Sequence, residues 1–288
     1  MSYHVPVLCR EVVHYLTEPG FPEAVVIDAT VGGGGHSGAL LAAGVQRIIA
    51  LDQDPQALAA AQMHLQRWGS RVEWHHSNFA DFRPGRPVAG VLADLGVSSA
   101  QLDRPERGFS FRHDGPLDMR MDPQHTAKSA ADWVNSAEEQ VLVEIFSRYG
   151  EEPFSRRIAH QIVAKRPVLG TKQLADLIWQ AVPPPARRGR IHPATRVFQA
   201  LRIVVNQELA ALERFLQQVP DWLLPGGRLA VISFHSLEDR LVKWALRRDP
   251  RWRVLTPKPI QPSPAECQIN PRARSAKLRV AERRREEP

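Results

Sequence analysis

Val25-Val26-Ile27-Asp28-Ala29-Thr30-Val31-Gly32-Gly33-Gly34-Gly35-His36-Ser37-Gly38 runs from a β-branched apolar segment through a glycine cluster into a stretch of small residues. It reads as a strand, a tight turn and the start of a helix. A second apolar segment, Ile48-Ile49-Ala50-Leu51-Asp52-Gln53-Asp54-Pro55, follows and ends in acids. This order is how a parallel sheet grips a nucleoside-bearing cofactor. Glycines let the backbone approach the ligand, and an acid about 20 residues further on accepts from ribose hydroxyls. Asp28, Asp52 and the Asp94 of Val91-Leu92-Ala93-Asp94 each close a strand at its carboxyl end, where such sheets bind ligands.

The glycine cluster alone leaves the cofactor open. Gly33-Gly34-Gly35-His36-Ser37-Gly38 matches the dinucleotide pattern G-x-G-x-x-G, which keeps a nicotinamide-dependent oxidoreductase in view. Two features favour S-adenosylmethionine. Asp28 stands ahead of the glycines, where it meets a cationic amino acid moiety. The turn Pro225-Gly226-Gly227 feeds a late apolar strand, Arg228-Leu229-Ala230-Val231-Ile232.

The rest of the chain alternates in the same way and then departs from it. Strands are predicted at 24–29, 47–52, 71–75, 89–94 and 228–233, with helices at 36–44 and 55–68, so the fold class is α/β with a mostly parallel sheet. Short strands fit 252–255 and 277–281. Residues 103–123, rich in Gly, Pro, Asp and Arg, read as a long loop. Helical patterns then take over. One helix has Ser136 and Glu139 as a capping box and ends at Gly150. Others fit 152–165, 172–182 (capped by Thr171), 194–217 and 237–247. The sheet is therefore interrupted by a helical insertion of roughly 90 residues, and both ends of the chain are needed to complete it.

The chain has 288 residues, enough for one large domain or two modest ones. No apolar run approaches the roughly 18–20 residues of a membrane span, so no membrane partner is expected. Met1-Ser2-Tyr3-His4-Val5-Pro6 lacks a signal-peptide pattern. Cys9 and Cys267 are too few for a disulfide framework or a cysteine metal site, and a cytoplasmic location is expected. The formal net charge is +7. From Leu177 to Gln207 no acid interrupts Arg187, Arg188, Arg190, Arg196 and Arg202, and from Cys267 to Ala281 none interrupts Arg272, Arg274, Lys277 and Arg279. Such clustering suits phosphate backbones. The closing Arg283-Arg284-Arg285-Glu286-Glu287 reads as a solvated terminus.

Among residues that could carry chemistry, Asp94 stands out. It opens the loop facing a bound cofactor. There it either accepts from an exocyclic amino group and takes its proton after attack, or merely binds cofactor. Phe79 follows the third strand, where adenine sits, or else fills the core. Phe109 and Phe111, between Arg107 and Arg112, either stack on an unpaired base or anchor the loop. His75 and His76 are adjacent on a strand and point to opposite faces, so no metal is expected. Cys9 has no activating base nearby. Ser233-Phe234-His235-Ser236-Leu237-Glu238-Asp239 lacks a nucleophile-elbow pattern and is placed at the rim of the site.

Longer blocks carry a more specific signal. They include His4-x-Pro6-Val7-Leu8, Asp94-Leu95-Gly96-Val97-Ser98-Ser99-x-Gln101-Leu102-Asp103, Arg107-Gly108-Phe109-Ser110-Phe111, Gly115-Pro116-Leu117-Asp118-Met119-Arg120-Met121-Asp122, His192-Pro193-Ala194-Thr195-Arg196, Ser233-Phe234-His235-Ser236-Leu237-Glu238-Asp239-Arg240 and Asn270-Pro271-Arg272-Ala273-Arg274-Ser275. Nearly end to end, the chain resembles the bacterial ribosomal RNA small subunit methyltransferase H family. The resemblance implies N4-methylation of a cytosine in 16S ribosomal RNA at the decoding centre, with S-adenosyl-L-methionine as donor. It implies a class I S-adenosylmethionine-dependent methyltransferase fold, Rossmann-like, with an inserted α-helical domain. The expected domains are 1–103 with 200–288 for methyl transfer and 104–199 for substrate recognition. The family's cofactor contacts fall on Gly34, Gly35, His36, Asp52, Phe79, Asp94 and Gln101, and Asp94 is the expected catalytic residue. The implied partner is 16S ribosomal RNA in the small ribosomal subunit, with a homodimer among the assemblies open to the chain. One departure from a wider group matters. Amino-methylating DNA enzymes carry Asp/Asn/Ser-Pro-Pro-aromatic after the fourth strand, whereas this chain has Asp94-Leu95-Gly96-Val97. Analogy with that group therefore assigns neither proton acceptor nor stacking ring. A non-catalytic RNA-binding or assembly factor is the remaining alternative.

Overall fold

The computed structural model describes residues 6–189 and 191–285. His4, Arg190 and the pair Glu286-Glu287 lie outside the described residues. The chain forms two compact units. One comprises the residues up to Gly96 and those from Leu209 onward; the other is Val97–Glu208. The sequence expectation set these breaks at 103/104 and 199/200.

In chain order the elements are α1 (Cys9–Thr17), β1 (Val25–Asp28), α2 (Gly35–Ala42), β2 (Arg47–Asp52), α3 (Pro55–Leu65), β3 (Val72–His76) and β4 (Val88–Asp94). The inserted unit then supplies α4 (Ser99–Asp103), α5 (Ala130–Ser136), α6 (Glu139–Gly150), α7 (Ser155–Ala164), α8 (Thr171–Ala181), α9 (Pro184–Arg187) and α10 (Ala194–Asn206). The return runs through α11 (Glu208–Trp222), β5 (Leu223–Ser233), α12 (Ser236–Arg248), β6 (Trp252–Val254), α13 (Pro264–Ile269) and β7 (Lys277–Arg283).

The first unit is built on one seven-stranded sheet in the order β3-β2-β1-β4-β5-β7-β6. Strands β1 to β5 pair in parallel, and β7 runs antiparallel between β5 and β6. Its inner strands read as unbroken apolar runs because both faces are covered, the habit of parallel sheets. Val26, Ile48 and Leu92 face a cluster formed with Leu16, Leu40 and Leu65 of α1 to α3. Their strand neighbours Ile27 and Val91 face Phe215 and Val219 of α11 and Leu246 of α12. Alternate residues thus feed opposite layers. The order reverses between β1 and β4, which makes their carboxyl ends the switch point where ligands bind. Register aligns Asp28 with Leu92 and Asp94 with Ile232, so the strand-terminal acids lie along one edge. This is the mostly parallel α/β sheet that the sequence resemblance implies.

The inserted unit has its own core, from Phe146, Ile158, Ile162, Leu174, Ile178 and Leu201. The segment expected as a long loop has little regular structure, yet it contributes Phe109, Leu117, Met119 and Met121 to that core. Asn206 at the end of α10 pins it: Nδ2 donates to Met119 O and Oδ1 accepts from Met121 N, both at 2.8 Å. Gly108, at φ 72°, packs so closely on Pro116 that a Cβ would overlap its carbonyl oxygen.

Three local expectations are corrected. The helix predicted at 194–217 is two helices, because Gln207 takes a left-handed conformation (φ 51°) between α10 and α11. Ser136 ends α5, and Glu138 caps α6 without a side-chain bond; the capping box in this stretch is that of α5, Ser129 with Asp132. Thr171 is the first residue of α8 rather than its cap, and its hydroxyl accepts from Gly115 N at 3.1 Å.

Gly108→Ala combines a positive φ with a steric overlap. It is expected to lower the unfolding free energy by more than about 2 kcal/mol. Urea unfolding followed by circular dichroism reads this, and an unchanged midpoint would show that the loop relaxes freely around the turn.

Candidate cofactor site

The site is built at the carboxyl ends of β1, β2 and β4. Asp28, 1% exposed, ends β1. Its carboxylate accepts from Ser37 Oγ at 2.6 Å and from Thr30 N at 3.3 Å. Burial outweighs these bonds and raises its pKa to about 6. The strand-end acid is thus held by the loop and helix that follow it.

The glycine loop is shaped by packing as well as by ligand access. Gly34 precedes α2 at φ 80°, and a Cβ there would come within 3.0 Å of Leu65 on α3. A Cβ on Gly35 would press on the Pro6 ring at 3.2 Å. Gly32 N donates to Asp52 Oδ2 and Asp54 N to Asp52 Oδ1, each at 2.9 Å. Asp52 therefore ties the loop to the end of β2, and each oxygen keeps a further lone pair for a hydroxyl donor. Burial raises its pKa to about 6 against those two hydrogen bonds, with smaller contributions from Asp54 and Asp28.

His36 and Asp94 form the centre of the arrangement. His36 is buried, with Nε2 2.9 Å from Val7 O and Nδ1 3.6 Å from Asp94 Oδ2. Burial lowers its pKa to about 4, so the ring is neutral near pH 7. Nε2–H then donates to Val7 O, which leaves the Nδ1 lone pair towards Asp94. Asp94 N donates to Thr30 Oγ1 at 2.7 Å. The Asp94 side chain keeps 25% exposure, yet Oδ1 is shut off and has no hydrogen-bond partner among the described residues. Its pKa stands well above the usual carboxylate range, first through burial and then through the charges of Asp28 and Glu238.

The other residues expected at the site lie apart in character. Phe79 is half-buried and meets Phe215 of α11 edge to face at 5.1 Å, so it joins the core layer beneath that helix. Gln101 belongs to the inserted unit and is buried; its Oε1 accepts from Ser98 N at 2.9 Å within the capping box of α4. His75 Nε2 turns to Glu73 and His76 Nε2 to Gln53 O. Phe109 is a core ring of the inserted unit, and Phe111 packs against it. Residue-level reading did not single out Thr30, Ser37 or Glu238. A hydroxyl next to a strand-end acid is the signal that could have found the first two. For Glu238 there is the Glu238 carboxylate accepting from Phe234 N at 2.8 Å, in a block already placed at the rim. Several cations are neutralised. Arg202 forks onto Glu208 at 2.8 Å through both Nε and Nη2, and Asp239 holds Arg279 and Lys277 at 2.7 and 3.2 Å.

This donor set discriminates between cofactors. Asp28 acts electrostatically on both Asp52 and Asp94, so three acids share one desolvated region with no cation described beside them. A pyrophosphate would add negative charge there. S-adenosylmethionine, with its sulfonium and ammonium, supplies the missing positive charge, and its ribose hydroxyls suit Asp52.

Asp28 gives a stability test. Its native pKa is raised, so the folded state holds a proton that the unfolded chain releases first. The stabilisation is complete below about pH 4 and lost as pH rises through about 6. Asp28→Asn mimics the protonated form. Relative to wild type, it is expected to gain on the order of 3 kcal/mol between pH 4 and pH 7, measured by urea unfolding at both. A constant difference would mean that Asp28 titrates as an ordinary aspartate.

Comparison with known proteins shows the family. The model of the MraW methylase family matches residues 1–284. Ribosomal RNA small subunit methyltransferase H of Synechococcus sp. strain JA-2-3B'a(2-13) is 62% identical, over 97% of this chain and 92% of its own. The protein of that name from a Cyanothece sp. is 58% identical over 97% and 94% of the two chains. That from Gloeobacter violaceus is 57% identical over 98% and 88%. The chain belongs to the MraW methylase family.

Proposed function

We propose that this chain transfers a methyl group from S-adenosylmethionine to the exocyclic N4 of a cytosine in 16S ribosomal RNA, at the decoding centre of the small ribosomal subunit. The names of its relatives support small-subunit ribosomal RNA as the substrate class. The observation that carries the chemistry is the unpartnered Oδ1 of Asp94. A buried acceptor without a donor costs stability and keeps this carboxylate ready to hold a proton, while its exposed part faces where an amino group that must lose one donates.

Bound S-adenosylmethionine supplies an electrophilic methyl group on a sulfonium. The protein's part is to position and to hold protons. Asp52 accepts from ribose hydroxyls with the lone pairs its backbone bonds leave over. Asp28, fixed by Ser37 and Thr30, contributes negative charge to the region. Gly34 and Gly35 keep the α2 entrance free of side chains. The Asp94 carboxylate, whose side chain is 25% exposed, accepts from the amino group of the unstacked target base and fixes its direction of attack. Methylation turns that nitrogen cationic, and Asp94, with its raised pKa, takes the proton. Oδ2 faces the Nδ1 lone pair of His36 at 3.6 Å, so a small closure lets the ring share the proton. The inserted unit recognises the substrate.

Tritiated methyl transfer to small ribosomal subunits lacking the modification, followed by nucleoside analysis, tests this reading. Label is expected in N4-methylcytidine, and Asp94→Asn is expected to lower the rate by about 10²–10⁴-fold. Label in another nucleoside, or a wild-type rate in the variant, would overturn it. Asp52→Ala is expected to weaken S-adenosylmethionine binding about tenfold or more in calorimetry; unchanged affinity would remove Asp52 from the pocket.

A further inference from the structure

A line of π-systems crosses the inserted unit from core to surface. Phe198 on α10, 5% exposed, meets Phe111 edge to face at 4.9 Å. Phe111 lies 4.9 Å from the His192 ring, tilted by 39°. His192 stacks on Trp179 of α8 at 5.2 Å with an interplanar angle of 19°. The Arg187 guanidinium closes the line, 5.6 Å from the Trp179 ring centre. Trp179 is 38% exposed, and Ile191, which precedes His192 in the chain, 51%. The innermost ring is core; the outermost are kept at the surface.

The outer members are held in place. His192 Nδ1 accepts from Ala194 N at 3.1 Å, which fixes the ring. Arg187 donates from Nε to Val182 O at 2.8 Å and from Nη2 to Gln180 O at 3.2 Å. Of its five N–H donors, these bonds use two. Among the described residues no carboxylate pairs with Arg187 or Arg188, in contrast to Arg202 and its fork onto Glu208. Asp176 is the acid that His192 feels. A guanidinium tethered by carbonyls, stacked on an exposed indole and unneutralised is prearranged for a ligand with a flat ring next to a phosphate. A duplex hides its base faces; a single strand presents them.

We infer that Trp179, His192 and Arg187 form a binding site for an unpaired nucleotide of single-stranded RNA, with the base against the aromatic edge and the phosphate on Arg187. The site rests on the RNA-substrate reading above and extends it, since it would hold a nucleotide of the substrate other than the reacting one.

Fluorescence anisotropy with a labelled single-stranded oligocytidylate, and with an RNA duplex of equal length, tests the site on the full chain. Trp179→Ala is expected to weaken single-strand binding by about tenfold while leaving duplex binding within about twofold. Trp179→Phe restores most of the loss. Arg187→Gln is expected to reduce the slope of log K against log salt by about one. Circular dichroism and S-adenosylmethionine calorimetry check that each variant folds. Wild-type single-strand binding by Trp179→Ala would overturn the site. So would equal losses on duplex and single strand, or an equal loss in Arg157→Gln, an exposed charge elsewhere on the unit. Failure of methyl transfer to ribosomal subunits, with the Trp179 dependence intact, would sink the functional reading and leave this site standing.

Discussion

The rest of the site follows from the burial of like charges at the ends of parallel strands. Asp28, Asp52 and Asp94 are brought together because β1, β2 and β4 run in the same direction and stop at the same edge. Desolvation raises all three pKa values, and Asp28 raises the other two further. Such a group is costly in the absence of positive charge. Backbone N–H groups and hydroxyls from Gly32, Thr30 and Ser37 compensate for part of the cost and aim the acids. What they leave over is a demand for a cation and for one hydrogen-bond donor at Asp94. The same electrostatics therefore favour a cationic methyl donor over a pyrophosphate at this edge of the sheet.

The glycines show how fold and function share residues. Gly34 and Gly35 are needed by α3 and by the amino-terminal segment respectively, whatever binds in front of them. A glycine-rich match would arise from this packing alone, which is why the literal dinucleotide pattern misleads. The acids discriminate where the glycines do not, because their charge has to be balanced.

Much of the sheet was legible because parallel strands covered on both faces must be continuously apolar. Strands expected at 47–52 and 89–94 differ by at most one residue at each end from β2 and β4. Long-range contacts were less legible. Gln207 has no local feature that marks a left-handed break; the break is set by Asn206 reaching back to Met119 and by Arg202 pairing with Glu208. Phe109 and Met119 looked like loop residues because their core partners come from helices far along the chain. The arginine clusters were visible as charge, but only the fold shows that Arg279 and Lys277 are neutralised on Asp239. Within the site, Asp52 and Asp94 could be read from their strand ends. The orphaned Oδ1 could not, since an unmet hydrogen bond is a property of the assembled neighbourhood.

The demand for a cation can be measured through protons. At pH 6, carboxyls with raised pKa values are partly protonated, and a bound sulfonium and ammonium stabilise their ionised form. Calorimetric titration with S-adenosylmethionine at that pH, in two buffers of different ionisation enthalpy, counts protons exchanged on binding. Net proton release is the expected result, reduced in Asp28→Asn and Asp94→Asn. Binding without proton release, or with net uptake, would contradict the assignment of these acids as the cofactor's charge partners.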